Sequence, residues 1–313
     1  MTAILGGLAA AILWATATLA SSRSSRMLGS RVVIGWVMLV GAIVAFPLAI
    51  LSPFPAGIPP ASLGVLLLSG VCYVVGLQIT YAALRIGKVS IIAPIVATEG
   101  AVAALIAVAL GDALGLTTAL LLGTMVLGVV LASLDRTSGD VPAGDIDLVA
   151  DALEGPAPDG DSPGPPGGTR AHDAEHDRRA IVLAIAAALV FGLGLVTAGK
   201  SAQVMPVAWV GFVARLVGIV GVTLPLVITG RFAMTRKALP LILVAGVGEI
   251  FGSMASAWGA RESIAISAVL GSQFAAIAAV AAYLLFHERL ARVQVVGVVL
   301  IVTAVSALAA SSL

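Results

Sequence analysis

Charge is scarce in this chain: Asp, Glu, Lys and Arg make up 11% of its 313 residues, against roughly a quarter in a soluble globular domain. With 60% apolar residues and a mean hydropathy of +1.12, a water-facing surface cannot be assembled, which excludes a soluble enzyme. The single cysteine, Cys72, rules out a disulfide within the chain and falls in an apolar run as a small filler. Three histidines offer no metalloprotease helix and no Cys/His catalytic set. His172 and His176 sit four apart and could clip a metal if helical, but solvated polar stretches often contain such pairs and no further ligand set stands nearby. No metal and no cofactor is expected. The basic residues form no patch of the kind that binds nucleic acid.

What remains is apolar length. A helix needs about 20 mostly apolar residues to cross a hydrocarbon core of about 30 Å, and each backbone amide there must be satisfied within the helix. Ten segments qualify: 3–20, 32–51, 63–83, 89–110 and 116–134, then 180–198, 207–229, 239–258, 264–286 and 293–310. Turn residues punctuate them, for instance Ser21 to Arg26 and Ser52 to Pro55. The first segment is not a secretory signal, because no Lys or Arg precedes it and three Arg follow it. The fold class is an all-α membrane protein of about ten transmembrane helices.

One stretch, 135–178, breaks the pattern with eleven acidic residues, three Arg and six Pro. It cannot bury enough surface to offset its ordering entropy, so it is expected as a disordered linker. It separates 1–134 from 179–313, and the two halves resemble each other at a nearly constant offset. Gly70 answers to Gly246, Gly76 to Gly252, Arg85 to Arg261 and Asp112 to Glu288, all 176 positions on. Val40-Gly41 answers to Val217-Gly218 at 177. Five spans per half turn the second half upside down relative to the first, giving two inverted five-helix repeats.

These motifs carry a resemblance. The first half has Tyr81-Ala82-Ala83-Leu84, Pro94, Gly111-Asp112-Ala113-Leu114 and the spaced Gly123 and Gly128. The second has Trp258-Gly259-Ala260, His287-Glu288-Arg289-Leu290, Gly297 and Gly211 to Leu216 with its Arg215. The ordered set resembles the EamA-type branch of the drug/metabolite transporter superfamily over everything except the linker. Asp112 stands where that family has Glu, and Leu270 where Pro94 predicts a second Pro. The resemblance implies a carrier working by rocking of one half against the other around a midplane site.

Lys and Arg accumulate on the cytoplasmic side of short loops. Fourteen fall in odd-numbered loops, and only Lys200 and Arg261 in even-numbered ones. The bias places both termini outside and 135–178 in the cytoplasm, opposite to the usual arrangement of such relatives.

Ionisable groups deep in a span mark candidate sites. Glu99 lies near the middle of the fourth span, Arg215 inside the seventh and Glu249 near the middle of the eighth. Glu99 reads as a proton- or cation-coupling group facing a central cavity, or equally as a carboxyl bonded to a neighbouring helix. Arg215 and Glu249 read as an interhelical salt bridge, or Arg215 as attracting an anionic group of a substrate. Pro94 removes an amide donor near Glu99 and can loosen that helix. Trp14, Tyr73, Gln78, Tyr81, Thr98, Trp258 and Gln273 could line a cavity, though packing and interface anchoring use the same residue types. Gly248 and Gly252 suit close helix contact, and Asp112 and Glu288 suit helix capping.

Gly194 to Ser201 satisfies the spacing of a phosphate-binding loop, yet it closes an apolar helix where that loop needs a preceding strand. Two function classes stay open. One is a secondary carrier of a small metabolite, amino acid or amphipathic drug in the plasma membrane, with H+ or Na+ as coupling ion. The other is an intramembrane enzyme acting on a lipid-linked substrate. The expected partners are the lipid bilayer and the solute, no nucleic acid, with a homodimer left open.

Overall fold

The computed structural model describes residues 1–55, 57–84, 92, 95–133, 170–277, 280–281 and 292–311. Among them six helices are long and apolar enough to cross a membrane by length and composition, and four shorter apolar helices accompany them. In chain order they are α1 (Thr2–Leu28), α2 (Ser30–Leu51), α3 (Pro60–Leu84), α4 (Glu99–Ala109), α5 (Leu116–Ser133) and α6 (Arg170–Val204). There follow α7 (Val207–Gly218) with a π turn and α8 (Leu224–Ile228), then α9 (Leu239–Gly259), α10 (Ile264–Gly271) and α11 (Arg292–Ser311). Large apolar side chains such as Leu105, Leu116, Val220 and Ile228 point outward, as a hydrocarbon solvent permits.

Several boundaries depart from the sequence reading. The Ser21–Arg26 stretch, read as a turn, is helical, because Ser24 donates to the Ala20 carbonyl and the chain turns only at Gly29, whose φ is +81°. The last nine residues of 135–178 are helical, since α6 starts at Arg170. Composition that prevents burial does not prevent a helix from running on beyond an apolar segment. His172 and His176 lie on that extension, and their side chains fall outside the described ones, as does the rest of the linker. The phosphate-loop spacing of residues 194–201 is continuous helix inside α6, with Gly194 packed on Cys72 and Gly199 on Ile264.

The repeat is visible as contact symmetry. Gly70 of α3 packs against Ala214 and Val217, and its mate Gly246 packs against Val37 and Val40, which are the mates of Ala214 and Val217. Gly76 lies under the Phe191 ring and Gly252 under Trp14, again mates. Direction follows from the same contacts. Along α2 and its C-cap, residues 35, 38, 46 and 52 meet 223, 215, 212 and 209 in turn. The second helices of the two halves are therefore antiparallel, as an inverted repeat requires. The last helices, α5 and α11, also run antiparallel and cross at Gly128 and Gly297, where the backbones nearly touch.

The halves are not separate bundles, however. α1 packs most extensively on α9, and α3 on α6. Two mixed bundles result, one of α1, α2, α9 and α10, the other of α3, α4, α6 and α7. They meet along α2 with α7 and along α4 with α10. Each bundle takes two helices from each half. The Gly248 and Gly252 pair serves close contact within a bundle, against Leu13, Ala17 and Trp14 of α1.

Candidate functional site

Two helices break at corresponding places. In the fourth span the chain turns at Ala97 and Thr98 before α4 begins at Glu99, and in the ninth it turns at Ser272 and Gln273 after α10. A broken helix in lipid leaves carbonyls without donors, and each must be met locally. Polar side chains do this at the second break, and at the first they add to the Thr98 N–H, which bonds the Ile95 carbonyl at 3.1 Å. The Thr98 hydroxyl donates to the Ile95 carbonyl at 2.6 Å, and the Ser272 hydroxyl and Gln273 amide donate to the Val269 carbonyl, each at 2.8 Å. The breaks cross at Gly100, where an added Cβ would lie 2.5 Å from Ser272 Oγ and 2.7 Å from the Ala268 carbonyl. Discontinuous helices at matching repeat positions are how many carriers build their midplane sites.

Beside this crossing lies the charged network. Arg215 of α7 is 1% exposed, and its guanidinium donates through Nη2 to Ser253 Oγ at 2.9 Å and to the Glu249 carbonyl at 3.2 Å. The same nitrogen is 3.7 Å from Glu249 Oε1, while Nη1 lies 3.6 Å from the Met38 sulfur. Tyr73 donates its hydroxyl to Glu249 Oε1 at 2.7 Å and holds its ring 5.2 Å below the guanidinium. Arg215 Nε has no hydrogen-bond partner among the described residues and packs against Gly41, where an added Cβ would lie 3.1 Å away. The interhelical salt bridge read from the sequence is present, with Arg215 buried and the Glu249 side chain 17% exposed. Of its supporting groups, Ser253 and Met38 were not singled out from the sequence, and Gly41 only as a position of the repeat. The 177-position spacing of Met38 and Arg215 could have flagged that pair.

Glu99, at the start of α4, is half-buried, takes no hydrogen bond among the described residues and lies within electrostatic reach of Glu249. One carboxylate, Glu249, thus faces the guanidinium, and a second, Glu99, lies near it. Thr98 and Gln273 belong to the breaks themselves. Gln273 is 1% exposed, Trp14 lies between Gly252 and Gly271, and neither Gln273 Oε1 nor the Trp14 indole nitrogen has a partner among the described residues. Gln78 and Trp258 are exposed and stand apart from the network. Pro94 and the Tyr81 side chain lie outside the described residues, as do Arg85 and Glu288. Asp112 does cap a helix, but one in the other half: its Oδ2 accepts from the Ala265 N–H at 3.1 Å at the start of α10.

Residues 1–134 match the model of the EamA-like transporter family, the branch that the sequence motifs resemble. Among solved structures, one titled only "Crystal structure of protein" aligns at 14% identity with a TM-score of 0.69, over 97% of this chain and 95% of that one. That likeness shows a shared fold. No curated protein matches the chain. The chain is a multi-pass membrane protein whose family-matched half carries Tyr73 and Glu99.

Proposed function

Taking the EamA-like transporter half as premise, we propose that this protein is a secondary transporter of a small metabolite, amino acid or amphipathic drug, working by alternating access in the plasma membrane. The observation that carries the reading is the placement of Tyr73, Arg215 and Glu249, contributed by both halves, beside two matching helix breaks. Ionisable groups are costly at this depth and persist where they bind or couple. Arg215 neutralises Glu249, and Glu99 remains as the group available to a proton, a sodium ion or a cationic part of the solute. The moving bodies are the two mixed bundles, hinged where α2 meets α7 and separating where α4 meets α10. The charge bias of the loops supports termini outside and 135–178 in the cytoplasm.

Counterflow of labelled solutes into proteoliposomes, screened over cationic, zwitterionic and anionic panels, tests the reading. Exchange of at least one class that is lost in both Glu99→Gln and Arg215→Ala is the expected result. A solute that exchanges equally well in all three proteins would remove both residues from the transport site. Conversion of a lipid-linked precursor, with no exchange of any solute, would favour the enzyme class instead.

A further inference from the structure

At the face where α1 and α10 begin and α4, α6 and α9 end, the four residues 260–263 join α9 to α10 and bond the start of α1, the end of α6 and the turn after α4. Within their own bundle they are tied to α1, because Glu262 accepts from the Ala3 N–H at 2.9 Å and from the Thr2 hydroxyl. Toward the other bundle the ties are of a different kind. Arg261 donates through Nε to the Ala202 carbonyl at 2.7 Å and through Nη2 to the Met205 carbonyl at 2.9 Å. These are carbonyls at the C-terminal end of α6, where a helix leaves acceptors unused and favours a cation. Asp112 reaches back the other way, accepting from the Ala265 N–H at 3.1 Å and from Ser263 Oγ at 3.2 Å. It meets the N-terminal end of α10, which favours an anion. Gly111, with φ +98°, turns the chain after α4 so that Asp112 points there, and the Asp112 N–H bonds the Ala107 carbonyl at 2.9 Å.

We propose that Asp112 and Arg261 form a latch between the two mixed bundles, and that the structure is the state shut at this face. The inference rests on the alternating-access reading. Each residue spends its charge on the opposite bundle, so the four hydrogen bonds must all break before α10 can move away from α4 and α6. Release is sterically open: Arg261 borders a depression of about 400 Å³, lined also by Pro55, Gln203, Met205 and Pro206, into which the guanidinium can swing. Glu262 makes its bonds inside one bundle and stays engaged whichever way the face moves.

The test needs no known substrate. In a Cys72→Ala background, Val196→Cys places a thiol on α6, in the apolar cluster it shares with Ile264, Ala265 and Ala268. That position is six residues, or about 9 Å, inward from Ala202. A membrane-impermeant maleimide added to protein in liposomes labels it slowly while the latch holds. Asp112→Asn with Arg261→Gln is expected to speed labelling roughly tenfold, within the usual range of coupling between states, and Glu262→Gln to leave it unchanged. Equal labelling with and without the latch overturns the proposal, as does an equal gain from Glu262→Gln, which would mean simple fraying of the loop. Should the double variant fail to fold, Asp112→Cys with Ser263→Cys replaces the latch by a disulfide. The thiol introduced by Val196→Cys is then expected to label no faster than in the parent, and faster labelling after cross-linking contradicts the proposal. Loss of transport in the solute screen would leave this labelling result standing, so the two readings fail separately.

Discussion

Tyr73 and Glu249 are 176 positions apart, the offset of the repeat, and the hydroxyl of one bonds the carboxylate of the other at 2.7 Å. Residues that correspond in the two halves meet only on the axis relating them, so this hydrogen bond marks the pseudo-twofold centre. The same position carries a phenol in one half and a carboxylate in the other. The site is symmetric in backbone and asymmetric in charge.

Removing either support of Glu249 should cost stability unequally. Tyr73→Phe loses one hydrogen bond to a charged group, about 1.5–3 kcal/mol. Arg215→Met leaves a carboxylate without its cation, about 3–5 kcal/mol when such a pair is buried. Thermal unfolding in detergent should rank Arg215→Met below Tyr73→Phe, and the double variant should lose less than the two separately.

Glycines at the helix crossings divide sharply. Gly297→Val puts a side chain where even a Cβ would overlap Ala132 N and lie 2.5 Å from the Gly128 carbonyl, so α5 and α11 cannot close. Gly123 has open space around its Cβ position. Gly123→Ala should be neutral or gain about 0.5–1 kcal/mol as a helical Gly replaced by Ala. Size-exclusion profiles and melting curves distinguish the two outcomes.

Glu262 gives a pH signature outside the spans. Hydrogen bonds from the Met1 ammonium, the Thr2 hydroxyl and the Ala3 N–H hold its carboxyl at about 2, below the ordinary 4.5. A lowered folded-state pKa stabilises above the unfolded value and loses that contribution as pH falls through the folded one. The melting advantage of the wild type over Glu262→Gln should be steady from about pH 4.5 to about pH 7 and close progressively toward pH 2. A pH-independent difference would contradict the assignment.

Topology is measurable directly. A reporter fused to the C-terminus and active only outside the cytoplasm is the expected result, from fourteen basic residues in odd loops against two in even ones. Activity only in the cytoplasm would reverse the orientation.

The order of the apolar helices, their pairing at an offset of 176 to 178 and the Arg215–Glu249 pair were legible because apolar length, periodic Gly and buried charge survive in the sequence. The breaks at Thr98 and Gln273 were not, since hydropathy reads side chains and is blind to which carbonyls lose their donors. The same holds for the π turn Ile219–Thr223, which precedes Pro225, a residue with no N–H to give the preceding turn. The mixed bundles were invisible for another reason: the repeat says which helices correspond, while tertiary contact decides which ones pack. Asp112 was readable as a cap, but only the fold could place the capped helix in the other half.

Glu99 as the coupling group of a carrier is the central claim. The most direct measurement is accumulation of an exchanged solute in proteoliposomes under an imposed proton or sodium gradient, with wild type and Glu99→Gln compared. Gradient-driven accumulation by the wild type, and exchange without accumulation by Glu99→Gln, is the predicted result. Equal accumulation by both proteins would contradict it.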